Sequence, residues 1–418
     1  MGLISSLYEQ RSAAKGPTDD YWYNAIGTMT AAGVRVDEET AMRCSAVWAA
    51  VTLLANTVAM LPFKLYRRLP GGGKEIAYDH PLYPLVTSMP NSRTNAYNFK
   101  QTLQGHLGTW GNGYAKIIYK NRSSATPMAL EQLQAAQMEA RDENGKIAYY
   151  YSDKGYKNRY DPAEILHLPG FGFNGLVGLS PVSMARETIG MTRATEKFGA
   201  EFFGNGANFG NVLKHPGTLK EQARKNLKES IDEARENKSH GLYILEEGME
   251  WIQNHFPPED SQFIETRKFN INDVARWYHV PPHMIGDLDR ATFSNIEHQG
   301  IEFVAYTMMP WFILWEQTFD NKLLKDFERE EYFFKFNVNA LLRGDSEKRS
   351  SYYQKRFYTG SLSQNDIREL EDENPIPGGD RYFIQGNMVP VDKIDEFIDK
   401  GGTVNVPSDN NQGDKSNN

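Results

Sequence analysis

A chain of 418 residues, 40% hydrophobic and 24% charged, has an ordinary globular composition and length enough for two or three domains, which excludes wholesale disorder. Lys and Arg total 46 against 54 Asp and Glu, a net charge of -8, so there is no generally basic surface for nucleic acid and any DNA contact is local. The lone Cys44 excludes an intrachain disulfide and a cysteine zinc site, and points to a reducing compartment.

The opening Met1-Gly2-Leu3-Ile4 is not a basic stretch followed by an apolar core, so no secretory signal is expected. Residues 45–63 run without a charge, close to the length that crosses a bilayer. Ser45, Thr52, Asn56 and Thr57 interrupt the run and Leu61-Pro62-Phe63 ends it, which favours a buried helix in a soluble protein. A second apolar stretch, 305–315, is too short to span.

Residues 1–35 show no period and read as an N-terminal arm. Beyond the apolar helix, 63–67 alternates as a strand and Pro70-Gly71-Gly72-Gly73-Lys74 reads as a hairpin turn. A helix is expected over 98–109, strands over 114–119, 149–151 and 165–168, and a loop over 121–127, so the first 170 residues form an α+β domain. Ser180-Pro181 caps a helical stretch that runs to Gly204-Asn205-Gly206. Thr218-Leu219-Lys220-Glu221 is a capping box for a helix whose apolar stripe includes Leu219, Ala223, Leu227, Ile231 and Ala234. Strands over 242–245 and 249–252 complete a small α/β module.

A helical region over 259–279 stops at Val280-Pro281-Pro282, with Asn270 a candidate break within it. A loop follows over 286–293. Ser294-Asn295-Ile296-Glu297 then opens a long helix that Pro310 is expected to kink. A strand over 333–338 precedes a helical hairpin, 345–358 and 364–371. Residues 392–418 drift into Gly, Ser, Asn and Asp and are expected to be disordered at their end. From Ser363 onward 12 acidic residues face 5 basic ones, so the acidity is concentrated at the C-terminal end.

Signals for catalysis are sparse. No phosphate cradle ends in Lys followed by Ser or Thr, and neither a zinc helix of the H-E-x-x-H type nor a G-x-S-x-G elbow is present. One cluster, His279, His283, Asp287, Asp289, Glu297 and His298, has the ligand types of a metal-dependent nuclease or hydrolase, but its spacing matches no known motif. The helical hairpin invites a helix-turn-helix reading, against which stands the acidic second helix, repelled by phosphates.

The order of short motifs is more specific than any one of them. Ser45-Ala46-Val47-Trp48-Ala49-Ala50-Val51 leads to Leu61-Pro62-Phe63, His80-Pro81-Leu82 and Trp110-Gly111-Asn112-Gly113-Tyr114-Ala115. Ile165-Leu166-His167-Leu168, Gly178-Leu179-Ser180-Pro181, Phe203-Gly204-Asn205-Gly206-Ala207 and Glu265-Thr266-Arg267-Lys268-Phe269 follow. Val280-Pro281-Pro282, Ser294-Asn295-Ile296-Glu297, Pro310-Trp311 and Gly378-Gly379-Asp380 close the series. From about residue 41 to 391 the chain resembles the portal, or head-to-tail connector, proteins of tailed double-stranded-DNA bacteriophages, in the small-subunit siphovirus-type group. Asp366 stands where that family more often has Glu.

The resemblance implies an α+β portal-type subunit, not an enzyme and without a cofactor, in a ring of usually twelve copies at one capsid vertex. Through that ring an ATP-driven terminase packages DNA, and from it the genome leaves. The implied partners are further copies of the chain, the terminase large subunit, major capsid and scaffold proteins, a head-tail adaptor and the double-stranded DNA in the channel, with no membrane. The implied location is the virion vertex, reached from the host cytoplasm. The implied divisions are an arm (1–35), an α+β wing (36–179), a stem helix (180–206), an α/β clip (207–258) and a second stem helix (259–280). A tunnel loop (281–294), a kinked helix with a wing strand (295–344), a crown (345–395) and a tail (396–418) complete them. Within the loop Asp287, Leu288, Asp289, Arg290, Ala291, Thr292, Phe293 and Ser294 would narrow the channel, with Arg290 the candidate for transient DNA contact. Weak binding suits sliding, because each firm Lys or Arg contact to phosphate would act as a brake. The rival readings are the metal-dependent enzyme on the histidine-carboxylate cluster and a membrane anchor at 45–63.

Overall fold

The structure is a computed structural model that describes residues 29–120, 126–143, 146–204, 211–214, 217–218, 220–236, 250–253, 260–288, 299–338, 346–371 and 373–383. It falls into two compact units, Met1–Asn337 and Val338–Asn418. In the first, helix α1 (Ser45–Met60) leads into β1 (Phe63–Arg68), β2 (Lys74–Ile76) and α2 (Ala96–Trp110). Six strands follow: β3 (Asn112–Tyr119), β4 (Pro127–Leu133), β5 (Met138–Glu143), β6 (Lys146–Asp153), β7 (Tyr156–Tyr160) and β8 (Ile165–Pro169). The unit continues with α3 (Arg186–Gly204), β9 (Asn211–Lys214), α4 (Glu221–Glu236), β10 (Glu250–Gln253), α5 (Asp260–Trp277), α6 (Met309–Leu323) and β11 (Tyr332–Phe336). The second unit holds α7 (Ser346–Tyr358) and α8 (Gln364–Leu370).

The described strands make small antiparallel sheets ordered β11-β1-β2, β4-β3-β8, β5-β6-β7 and β10-β9. The architecture is mixed α+β, as expected. The uncharged run divides as its proline dictates: Pro62 holds Leu61 extended, α1 ends at Met60, and the chain continues as β1. Its inward face includes Val47, Val51, Leu54 and Val58. Among the described residues no helix is long and apolar enough to cross a membrane. The turn between β1 and β2 uses Gly72 and Gly73 at φ +85° and +88°, a backbone region that residues with a Cβ rarely adopt.

An aromatic core joins chain segments more than 250 residues apart. Phe63 of β1 stacks on Phe336 of β11 at 4.4 Å and meets Phe319 of α6 edge-on at 5.0 Å. Trp315, fully buried, donates from Nε1 to Gln104 Oε1 of α2 at 2.9 Å. Strand β11 is an edge whose outward amides are covered: Phe334 N–H donates to Asp320 and Phe336 N–H to Glu316, both on α6. Lys100 of α2 is buried here too, its Nζ 2.6 Å from the Leu61 carbonyl, and burial pushes it down to about 8.

Several local expectations change. The helix that Ser180 caps is one short turn, Pro181–Met184, and α3 begins afresh at Arg186. Helix α4 starts at Glu221, three residues beyond Thr218, so Thr218 is not its N-cap. Strand β10 pairs with β9, while 242–245 lies outside the described residues. Asn270 does not break α5: it is buried mid-helix, and its Nδ2 reaches Thr195 Oγ1 of α3 at 3.4 Å. Before Pro310 the helix widens into a π-turn over Phe303–Met308, in which Met309 N–H reaches back five residues to Val304 O. Proline has no amide for the carbonyl four residues earlier, and the wider turn accommodates that loss.

The second unit is a helical hairpin, as expected. Ser363 caps α8 reciprocally with Asp366, so aspartate completes the box at this position. The buried Asn365 donates to Ile376 O and Asp380 Oδ1 and accepts from Ile376 N–H. A Cβ on Gly379 would stand 2.4 Å from Asn365 Oδ1, which accounts for the Gly378-Gly379-Asp380 motif. Tyr353 OH of α7 donates to Glu371 at 2.6 Å.

Candidate functional site

The expected tunnel loop, 281–294, is described over its first part, residues 281–288. Helix α5 ends at Trp277, and Tyr278 anchors its end, with a buried ring and a hydroxyl donating to Gly108 O of α2 at 3.0 Å. His279 leaves the helix at φ +52°. Val280 N–H closes back on Ala275 O, and Pro281-Pro282 starts a 3-10 turn over Pro282–Ile285 that Gly286 ends at φ +99°. Asp287 N–H then bonds Pro282 O at 3.0 Å, and its carboxylate accepts from Asn272 Nδ2 on α5 at 2.7 Å. Leu288, the next residue, is largely exposed.

The chain re-enters the described residues at 299, and Thr307 of the π-turn donates its hydroxyl to His279 O. The end of α5 is thus tied to the chain on either side of 289–298, through Asn272–Asp287 before it and through Thr307–His279 after it. Asp289, Arg290, Ala291, Thr292, Phe293 and Ser294, with Glu297 and His298, lie outside the described residues. Sequence reasoning found Asp287 but not the clamps Asn272, Tyr278 and Thr307. Helical spacing within α5 places Asn272 and Tyr278 but says nothing of partners in other elements.

Three of the quoted motifs meet beyond α2, whose Gly108 carbonyl holds Tyr278. Gly111 sits at φ +75°, where a Cβ would stand 2.0 Å from Leu179 O. A Cβ on Gly178 would come within 2.1 Å of Gly111 O, so two backbones cross where only glycine fits. Asn112 binds this crossing: its Nδ2 donates to Gly178 O at 2.7 Å and to Trp110 O at 3.1 Å, and its Oδ1 accepts from Gly178 N–H at 2.8 Å. The same Oδ1 lies 3.0 Å from His167 Nε2, which fixes the proton there, and Nδ1 accepts from Tyr149 OH at 3.2 Å. Tyr114 stacks on the imidazole at 4.4 Å, and burial pushes His167 down to about 3, so it is neutral. Ser180 Oγ accepts from Ser183 N–H and lies 2.8 Å from the Glu38 carboxylate. The buried His167 reads as a structural pin that joins β3, β6 and β8.

For metal chemistry, His279, His283 and Asp287 are described, and among the described residues no three His, Cys, Asp or Glu side chains converge to hold an ion. Asp287 is instead engaged by Asn272.

Antiparallel α+β sheets around crossed glycines, with a long helix interrupted by a π-turn, define the class: a portal-type subunit. The family model for phage portal proteins matches residues 45–372, and the chain belongs to that family. The portal protein of Enterobacteria phage HK97 is 31% identical over 361 residues, with 85% of each chain covered. The probable portal protein of Streptomyces phage phiC31 is 30% identical over 415 residues, covering 94% of this chain and 90% of its relative. Among solved structures, an HK97-family portal protein from Corynebacterium diphtheriae shares the fold at TM-score 0.57 and 18% identity, over 75% of this chain and 99% of that one. A chain in the neck of a native gene transfer agent particle, computed with C12 symmetry, does so at 0.52 and 21% identity, over 81% and 94%.

Proposed function

We propose that the chain serves as a virion portal: a homo-oligomeric ring at one capsid vertex through which DNA enters during packaging and leaves at ejection. The observation that carries this is family membership across residues 45–372, supported by the fold it shares with virion neck subunits. The finer reading is a ring of twelve, filled by the terminase large subunit as motor, guided into the shell by scaffold and major capsid proteins in the host cytoplasm, and capped by a head-tail adaptor.

On this reading 36–179 with 295–344 is the wing, 180–206 and 259–280 the stem, 207–258 the clip and 345–395 the crown. The α+β unit around α1 and α2, the β9–β10 pair that flanks α4 in the chain, and the hairpin of α7 and α8 support those assignments. Residues 281–294 form the tunnel loop, and the Asn272–Asp287 bond in its first part supports a segment held in place while DNA passes. The part is structural, with the energy of packaging supplied by the separate ATPase. A chain with a net charge of -8 has little to brake moving phosphates.

The test is deletion of 287–292 in a packaging-competent particle. Loss of packaging or of genome retention, with rings still formed, is expected. Unchanged packaging and retention would remove the tunnel assignment.

A further inference from the structure

The charge pattern on the wing assigns a second working surface. Helices α1 and α2 together place no charged side chain on the surface: α1 has none, and the one in α2, Lys100, is buried. In a chain that is 24% charged, two adjacent helices without an exposed charge need an explanation. The inward face of α1 explains only part of it. Trp48, Thr52, Asn56 and Met60 recur every fourth residue and so share the other face, where Trp48 and Met60 are each 56% exposed. Tyr97 of α2, 41% exposed, extends the patch and bonds Asn56 Oδ1 through its hydroxyl at 3.3 Å. Gln101 Nε2 donates to the same oxygen at 2.6 Å.

Exposed tryptophan, methionine and tyrosine with no charge among them is the composition of an interface core, not of a solvated helix face. Asn56 Oδ1 is already satisfied within the subunit, so an apolar partner leaves no acceptor stranded there. That favours a permanent, dry contact over a transient polar one, and permanent interfaces are the more hydrophobic. In a closed ring the identical neighbour is a permanent partner of every subunit, and each subunit hides a face against a different face of the next.

We propose that the Trp48–Met60 face of α1, with Tyr97 of α2, is a ring-closing surface, covered in the assembly by the adjacent copy of this chain. The proposal rests on the ring reading above and adds which face closes it.

A single native cysteine makes the test direct, since Cys44 is fully buried and adds little labelling of its own. Thr52→Cys is placed within the patch and Tyr156→Cys, on the exposed β7 strand, outside it. In purified rings the Cys at 52 should react with a maleimide about tenfold or more slowly than the Cys at 156, because interface cores exclude water. Trp48→Glu should weaken assembly by about thirtyfold or more, as loss of a central aromatic anchor does. Because Trp48 is on the surface, its melting temperature as a monomer should be unchanged. Equal labelling of the two cysteines in rings, or assembly of Trp48→Glu at wild-type concentrations, overturns the face assignment and leaves the ring reading standing. A wild-type chain that yields no ring from particle-producing cells overturns the ring reading itself.

Discussion

Replacing Asn112 by alanine tests the account of the glycine crossing most sharply. The side chain holds four contacts between 2.7 and 3.1 Å: three buried, to Gly178 O, Gly178 N–H and His167 Nε2, and one part-buried, to Trp110 O. Alanine leaves those partners without it in a buried site, where each unpaired group costs about 1–3 kcal/mol. Relaxation and residual water share the loss, so the expected total is about 3–5 kcal/mol rather than the full sum. The opening should be local, and hydrogen exchange of the peptide across 170–180 reads it. Exchange there should accelerate by about 10²–10³-fold or more, since 1.4 kcal/mol is a factor of ten. A double-mutant cycle with His167→Phe should return a coupling of about 1–3 kcal/mol, because the two side chains share one bond. Protection of 170–180 within threefold of wild type would refute the assignment of Asn112 as the binder of the crossing.

Acid stability follows from two histidines. Burial depresses His167 to about 3 and His106 to about 4, so below about 6.5 the unfolded chain takes up protons that the folded chain refuses. Stability is full above pH 6.5 and falls as pH drops, by about 2 kcal/mol per histidine between 6.5 and 5, and a melting temperature independent of pH in that window would contradict this. Lys100 acts in the alkaline range: depressed to about 8, it adds stability as pH rises from 8 towards 10, up to ~1.4 kcal/mol per unit, and Lys100→Met should flatten that rise in a urea-unfolding series. Phe63→Ala should destabilise the first unit by about 3–5 kcal/mol in the same assay, because it empties the centre of an aromatic cluster formed by β1, β11 and α6.

What the sequence discloses depends on the range of the interaction. The helix at 45–60, the glycine hairpin, the strand at 114–119 and the two helices of the C-terminal hairpin all come from patterns within a few residues, and the structure carries each of them. Strands β4, β5 and β7 escaped. Tyr156–Tyr160 is mostly polar, and it is placed by pairing with β6, from Tyr149 opposite Tyr160 to Asp153 opposite Tyr156, which no local pattern reveals. Strand β4 begins at a proline and continues through Met128, Ala129, Leu130 and Glu131, good helix formers, so pairing with β3 overrides propensity. The motifs that mark the family were visible as strings, while their reason is spatial. Gly111 and Gly178 are glycine because their backbones touch each other, 67 residues apart in the chain. The clamp of Asn272 on Asp287 likewise joins a helix to a loop across 15 residues.

The central claim is a closed ring, and the mass of the assembled protein with electron-microscope images of the same sample tests it. Twelve copies of the 47.6 kDa chain, about 571 kDa, or a neighbouring ring number, with a central hole, is the predicted result. A compact dimer that cleaves DNA only when a divalent metal is added would contradict it and favour the histidine-carboxylate reading.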